Sequence, residues 1–509
     1  MGRRSIRGLL VTGMLVLGLT SCVTLERSSV SSSGVEGNGA SVSPSLSGNG
    51  RYVAFTSAAD NLVAGDTNGA TDVFVRDHQT RTTTLVSVPT GGGVAGGDSR
   101  EASISGDGRL VAFTSAAANL VPGDINGGTD VFVRDLASGT TTRVSRDGDQ
   151  VALRSDSGRL SADGRYIVFF ERGDLPSTGL TLSSIVTVEL ATGTRQVIAS
   201  TTIQPPILGN PVGPLSISDD GSVVTYGTIA THSLGISFSS VQVWHRASGT
   251  STFVASATSP NIVRSGAVSG DGEHVLFSST LDHVPESDVC VEPELGSTVL
   301  PPECDSDVFV WTSTDGTYER LTPAAGTPSQ AHVAISLGDG GAVALFGTTA
   351  GSRTSLSVHD RTTGRTSVVG RTSDLRAALS GDGRLVALAT DAPMGSGDTN
   401  GVSDVYVRRS VAPAATSAAP SSVERGTTSS VTIEGYRLEA GTSVLARGSG
   451  VSFSSVQVVD STTLTVQATV AADAPLGPMD LIVSTPGLFP GSSVGSALTT
   501  CGGCLDIVG

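Results

Sequence analysis

Apolar and polar positions alternate along this chain in short runs. In "RYVAFTS" at 51–57, Tyr52 and Ala54 fall on one side and Val53 and Phe55 on the other, and neither side is strongly polar. A period of two over so few residues predicts a strand, and a strand apolar on both faces lies between two layers. The run returns as "RLVAFTS" at 109–115, and "TDVFVRD" at 71–77 returns unchanged at 129–135. After residue 20 no stretch sustains a helical period, so the pattern predicts an all-β protein.

Turn residues punctuate these runs in a repeated form. "SGNG" ends at Gly50, "SGDG" at Gly108, "SADG" at Gly164, "SDDG" at Gly221, "SGDG" at Gly272, "LGDG" at Gly340 and "SGDG" at Gly383. Asn-Gly and Asp-Gly supply the positive φ angles of tight hairpins, and recurrence at such spacing predicts stacked supersecondary units. Each unit reads as four strands, the first being "SVSPSLS", "RYVAFTS", "TDVFVRD" and "TTTLVSV". The seventh unit lacks a fourth strand, because "VAPAATSAAP" follows "SDVYVRRS". A spare strand stands at the other end, at 23–27, and it is expected to close the ring. The Ser-rich connection at 29–36 is expected to matter much less. The alternative is a flexible tether over residues 23–39.

Successive strands of a unit run up and down, so the first-second and third-fourth turns share one face and are short. The other face carries the long loops, including "GDTNG" at 65–69, "GDING" at 123–127, "GDTNG" at 397–401 and the insertion between Thr280 and Asp307. Long loops in a compact fold are functional or stabilised by something.

The "SxDGRxVAF" and "DVFVRD" runs together resemble the WD40-like, TolB-type propeller repeats of bacterial envelope proteins, over about residues 23–410. The resemblance implies a seven-bladed β-propeller. From Pro420 onward, "PSSVERGTTSSVTIEGYRLEAGTSVLARG" and "STTLTVQATVAADAPLGPMDLIVST" resemble the IPT/TIG immunoglobulin-like domains. The expected organisation is a signal peptide at 1–21, a propeller at 22–413, a linker at 414–419 and an immunoglobulin-like β-sandwich at 420–509.

The front of the chain changes the picture further. Arg3, Arg4 and Arg7 precede the apolar "GLLVTGMLVLGL", which reads as an export signal. "LTSC", ending at Cys22, resembles the lipobox of bacterial lipoproteins, which implies lipidation of Cys22 and anchoring on the extracytoplasmic side of the cell envelope. Loss of the three arginines would take the formal charge from −16 to −19, so nucleic acid is not an expected partner. No lysine occurs, which excludes Schiff-base and P-loop chemistry. With Cys22 set aside, the five cysteines leave Cys290 with Cys304 and Cys501 with Cys504, two expected disulfides in an exported chain. The "CGGC" at 501–504 could also suit zinc or redox chemistry, but no further ligands or helix N-terminus accompany it, and a hairpin disulfide is preferred.

The three acidic loops offer Asp66, Asn68 and Asp72; Asp124, Asn126 and Asp130; and Asp398, Asn400 and Asp404. Oxygens at this spacing suit Ca²⁺, yet the closing bidentate Glu is missing, and Asx-turns explain the same residues. No metal ligands and no other cofactor are therefore assigned. "GSSVG" at Gly491 and "GGGVAG" at Gly91 match hydrolase and dinucleotide motifs formally, without a strand-to-helix turn. His78, His245 and His359 fall at or just after third strands, and no catalytic residue is assigned. The expected function is binding of a protein, peptide or glycan on the long-loop face. The alternative is a propeller hydrolase or lyase, which would need paired acids converging on the channel.

Overall fold

The computed structural model describes residues 25–145, 154–175, 180–203, 209–231, 237–259, 261–281, 283–284, 306–322, 331–350, 353–372, 375–394, 397–410, 414–484 and 498–509. Every regular element among them is a β-strand. The chain divides into two compact units, one within Leu25–Val411 and one within 412–509.

The described residues of the first unit form seven four-stranded antiparallel sheets. The first sheet consists of Ser41–Leu46, Tyr52–Ser57, Asp72–Asp77 and Thr82–Leu85, side by side in chain order. The first strands of the others are Ser99–Ile104, Arg154–Leu160, Gly209–Ile217, Val263–Val268, Ala331–Leu337 and Ala377–Leu379. Each first strand lies beside that of the next sheet, and the last lies beside the first. Sheets arranged radially in this way are a β-propeller.

Both faces of a sheet are buried by its neighbours, as the sequence pattern requires. Val53 and Phe55 pack with Ala387 and Val405 of the seventh sheet. Ala54, Val73 and Val75 pack with Val111 and Phe113 of the second.

A circle of backbone hydrogen bonds runs round the rim of first-second turns. Gly48 N–H donates to Gly106 O (2.9 Å), Gly106 to Ala162 (2.8 Å), Asp163 to Asp219 (2.9 Å) and Asp219 to Gly270 (2.9 Å). Asp271 donates to Asp339 (3.0 Å), Asp339 to Gly381 (2.8 Å), and Asp382 returns to Gly48 (3.5 Å). Within a turn, Ser105 Oγ donates to Asp107 Oδ1 (2.6 Å), which also accepts the Arg109 N–H (2.9 Å). Gly108 has φ of +78°, and a Cβ there would stand 2.1 Å from Tyr52 Cδ2, so conformation and space both require glycine.

The sixth turn corrects the sequence reading by one residue. Its positive-φ glycine is Gly341 (φ 68°), whose N–H bonds to Gly338 O (2.9 Å), not Gly340. Two adjacent glycines made both registers available, and the ring bond from Asp271 selects the one with Asp339 in second place.

Serine hydroxyls tie neighbouring first strands together. Ser45 Oγ accepts from Ile104 N (3.2 Å), Ser103 Oγ from Leu160 N (3.1 Å), Ser216 Oγ from Val268 N (3.1 Å) and Ser336 Oγ from Leu379 N (3.4 Å). Ser103→Ala is expected to cost about 1 kcal/mol, the net value of one such bond. A chemical melt with an unchanged midpoint would show that water replaces the hydroxyl.

Leu25–Arg27 forms the fourth strand of the seventh sheet, with Leu25 opposite Arg408 and Arg27 opposite Tyr406. Val23 and Thr24 lie outside the described residues. The place of this strand is fixed by a bond pattern that recurs. Ser87 Oγ donates to Asp72 (2.6 Å) and accepts from Val73 N (3.0 Å). Ser145 does the same with Asp130 (2.5 Å) and Val131 (3.1 Å), and Ser29 with Asp404 (2.5 Å) and Val405 (3.1 Å). The connection at 29–36, expected to matter much less than the strand, is packed as well. Ser28, Ser29 and Val30 are buried, Val30 O accepts from Thr83 Oγ1 (2.5 Å), and Glu36 pairs with Arg27.

The second unit has two four-stranded sheets sharing one core that includes Val431, Ile433, Leu464, Val466, Leu481 and Leu505. Ala414–Ala419, expected as a linker, is an edge strand paired antiparallel with Thr428–Tyr436. Its small side chains let Ala415 and Ala418 enter the core, which a Pro/Ala-rich composition concealed. Cys501 and Cys504 are joined by a disulfide. They sit at an irregularity within the single strand Leu498–Val508, not across a hairpin: Leu505 faces Met479 while Cys501 faces Leu481. Gly503 (φ 63°) makes that bulge possible and donates its N–H to Asp480 (2.9 Å).

Candidate functional site: the central channel

The first strands enclose a cavity of about 830 Å³ along the propeller axis. Superposing the repeats on their hairpin glycines sorts its wall into levels. The second turn position rings the short-turn mouth with Gly48, Gly106, Ala162, Asp219, Gly270, Asp339 and Gly381. Two aspartates stand in a ring otherwise made of glycine and alanine. Their carboxylates lie over the following turns: a Cβ on Gly270 would meet Asp219 Oδ2 at 2.3 Å, and one on Gly381 would meet Asp339 Oδ2 at 2.5 Å. Burial, then the charges of Asp219, Asp382 and Asp271, push the Asp339 carboxyl up to about 6. Asp219 is raised by burial and by Asp220, Asp271 and Asp163.

Three levels further along each strand, the equivalent positions are Ser45, Ser103, Arg159, Ser216, Ala267, Ser336 and Ala378. Arg159 is the single long side chain at this level. It lines the cavity, and its guanidinium makes one hydrogen bond, from Nη1 to Gly158 O (3.1 Å). Nearer the long-loop mouth, Glu101 Oε2 accepts from Ser157 N (2.9 Å) and Thr114 Oγ1 (3.2 Å). Arg376 Nη1 there donates to Ser43 Oγ (2.9 Å). Ser43, Glu101 and Ser157 all have positive φ, near 53°, 60° and 59°, where a register shift in each first strand turns the backbone toward the channel. The described lining thus has Arg159, Arg376 and Glu101 toward the long-loop mouth and Asp219 and Asp339 at the other. Among the described residues, acids from different sheets approach one another at the short-turn mouth, and toward the long-loop mouth Asp156 of the third sheet feels the charge of Glu101 of the second.

The acidic loops are turns. Asn68 Oδ1 accepts from Ala70 N (2.9 Å) and its amide donates to Asp72 Oδ2 (2.8 Å). Asn126 repeats this with Gly128 N (2.8 Å) and Asp130 Oδ2 (2.9 Å), and Asn400 Oδ1 accepts from Val402 N (2.9 Å). The first two asparagines thus spend an oxygen lone pair on the turn and their NH₂ on the acidic partner, as an Asx-turn does, whereas the NH₂ of Asn400 goes to Gly37 O (2.7 Å). Glu36, Asp398 and Asp404 bring oxygens within 4.8 Å of one another, and there the positive charge comes from Arg27, paired with Glu36 and 3.6 Å from Asp404.

Arg27 recurs as an arginine on other fourth strands. Arg143, opposite Phe132, pairs with Asp124 (3.1 Å), and Arg320, opposite Phe309, pairs with Asp307 (2.8 Å). In the first sheet the equivalent residue, opposite Phe74, is Leu85. Asp66, only 7% exposed, has no such cation, and burial, Asp72 and Asp60 push it up to about 6.

His78 meets Ser28 Oγ (3.0 Å) and Glu26 (3.3 Å), His359 meets Thr366 Oγ1 (2.8 Å), and His245 ends a strand. None of them is among the cavity-lining residues. Gly91, Gly92 and Gly93 have positive φ in a loop, without a following helix. Cys22, Cys290, Cys304 and Gly491 lie outside the described residues. The sequence reading missed Arg159, Glu101, Arg376, Asp219 and Asp339, although stacking the repeats would have exposed Arg159 in a column of serines and alanines.

No protein-family model matches the chain, and no match is found among curated proteins. Among solved structures it is similar to an oligogalacturonate lyase in complex with manganese, at 14% identity and TM-score 0.49, over 77% of this chain and 94% of that one. It is also similar to TolB from Acinetobacter baumannii, at 15% identity and TM-score 0.35, over 70% of this chain and 80% of that one. A third is the β-propeller domain of the Trilobed protease from Pyrococcus furiosus, at 13% identity and TM-score 0.41, over 69% and 89%. At these values no residue role is carried over, and the propeller rests on this chain's own sheets.

Proposed function

We propose that the chain is a seven-bladed β-propeller with an IPT/TIG-type immunoglobulin-like sandwich, exported and lipid-anchored through Cys22 on the extracytoplasmic side of a bacterial envelope. It works as a non-catalytic binding or scaffold protein for a protein, peptide or glycan, taken on the long-loop face. The observation that carries this reading is the axial cavity of about 830 Å³, whose charged wall residues toward that face are arginines and a glutamate with one oxygen held by Ser157 and Thr114. Leu25 pairs with Arg408 at the end of a third strand, so an anchor three residues earlier would leave from the short-turn rim and turn the long loops outward.

The alternative, a hydrolase or lyase, would draw on Asp219 and Asp339, since a carboxyl raised to about 6, as Asp339 is, can give and take a proton close to neutral pH. Glycan and peptide arrays probed with the purified chain, followed by mass spectrometry of every retained polymer, separate the two readings. Arg264 lines the cavity at the start of Val263–Val268, the long-loop end of that strand, and binding that Arg264→Glu weakens, with the polymer intact, is expected. Cleavage abolished by Asp339→Asn would establish the alternative. The anchor is tested by fractionation: Cys22→Ser should release a folded protein from membranes, and retention of that variant would refute lipidation.

A further inference from the structure

We infer that Arg159, with Arg376 nearby, anchors an anion site inside the central channel that takes a compact oxyanion, a carboxylate or a phosphate group. This goes beyond the binding face proposed above and names a chemistry for the channel itself.

The first argument is the position. At this level four of the seven sheets carry serine, and all four hydroxyls accept the amide hydrogen bond that joins one first strand to the next. Two carry alanine. The third sheet gives up that seam bond for an arginine, and a residue that abandons a structural contact for a long charged chain facing a cavity has another use. The second argument is the unmet charge. Among the described residues Arg159 donates once, to the carbonyl of its own neighbour Gly158, and makes no ion pair. A guanidinium has five N–H donors, and the partly exposed Arg159 turns those it does not spend on Gly158 toward the cavity. Burial pushes its pKa down, Glu101 opposes this, and the charge of Arg376 adds to it.

Glu101 is not the missing partner. Its Oε2 is held by Ser157 N (2.9 Å), Ser157 Oγ (3.5 Å) and Thr114 Oγ1 (3.2 Å), which fix it against the seam between the second and third sheets. Arg376 adds positive potential at Arg159, and an oxyanion in the cavity would fill the planar donor fork of Arg159. The cavity is larger than one such anion, so the group would be the charged end of a ligand entering from the long-loop mouth.

Isothermal titration of the whole chain with sodium phosphate, and separately with sodium citrate, at constant ionic strength set by sodium chloride, tests the assignment. Saturable binding of at least one of the two is expected, with phosphate alone pointing to a phosphorylated ligand and citrate alone to a carboxylate. Arg159→Ser, which installs the residue the other seams use, should fold with a melting temperature no lower than the parent and bind about tenfold to hundredfold more weakly. Arg159→Gln, which keeps most of the stem, should lose affinity equally, and Arg159→Lys should retain part of it. Unchanged affinity in both neutral variants, or no binding of either anion by the parent chain, would overturn the proposal. The probes are small anions, so the result stands whether or not a macromolecule binds the outer face.

Discussion

Removal of residues 25–29 should lower the unfolding temperature of the propeller by about 5–10 °C and convert it to a form that aggregates on warming. The segment supplies the fourth strand of the seventh sheet, opposite Tyr406, Val407 and Arg408. Without it, a third strand that is otherwise internal becomes an edge with unpaired backbone groups. The larger loss lies at its end. Ser29 Oγ donates to the fully buried Asp404 and accepts from Val405 N, and Arg27 faces the same carboxylate. Deletion leaves a buried charge without its donors, which costs several kcal/mol. With the lost ladder the total is about 5 kcal/mol or more. Ser29→Ala isolates the local part and should cost about 2 kcal/mol. Differential scanning calorimetry of the three proteins decides the matter: a deletion variant melting within a degree of the parent would mean that the ring does not depend on this strand.

The parts of the fold legible in the sequence are those fixed by contacts close along the chain. Asn49-Gly50 and Asp107-Gly108 announce hairpins because the Asp or Asn, the serine two before it and the glycine after it make the turn by themselves. Strands such as "RYVAFTS" declare two buried faces through alternation alone. What was illegible depends on partners far away. Residues 29–36 look like a soluble Ser-rich connection, yet Ser29 Oγ meets Asp404, nearly four hundred residues later, and Ser32 Oγ accepts from Thr83 N (2.9 Å). Residues 414–419 look like a linker because alanine and serine carry little hydrophobic signal, and only the facing strand Thr428–Tyr436 makes them a sheet edge. The channel has no local signature at all, since its wall takes a few residues from each of seven repeats. Its sequence signal is vertical, in the column of Ser45, Ser103, Arg159, Ser216, Ala267, Ser336 and Ala378, and it becomes readable once the sixth turn is set in register on Gly341. The acidic loops show the reverse: their spacing suggested a cation, and the geometry spends the asparagine oxygens on the backbone.

Supplying the first sheet with the arginine its relatives possess should stabilise the protein at neutral pH and remove part of its pH dependence. In the first sheet the fourth-strand position opposite Phe74 is Leu85, whereas in the second the same position is Arg143, paired with Asp124, the counterpart of Asp66. Burial, with Asp72 and Asp60, raises the pKa of Asp66 from 3.8 to about 6. A carboxyl whose folded pKa is raised contributes stability that is complete below the unfolded pKa and is lost as pH rises through the folded one. Between pH 4 and pH 7 this group alone should therefore remove up to about 3 kcal/mol. Asp77 acts in a different window: its pair with Arg51 and the turn amides lower it to about 2, so its contribution is present above pH 4 and lost only as pH falls toward 2. The combined contribution of these two groups is greatest near pH 4–5, and Asp339, raised to about 6, adds to the same neutral-pH limb. Leu85→Arg, whose stem can cover the apolar contact that Leu85 makes, is expected to raise the pH 7 melting temperature and leave the pH 4 value nearly unchanged. Asp66→Asn should flatten the same limb without adding a charge, because an amide oxygen still accepts a loop hydrogen bond and cannot ionise. Melts of the parent and both variants at several pH values from 4 to 8 test the argument. If Asp66→Asn leaves the slope of the parent intact, the neutral-pH limb belongs to other carboxyls, and the missing arginine at position 85 has no energetic consequence.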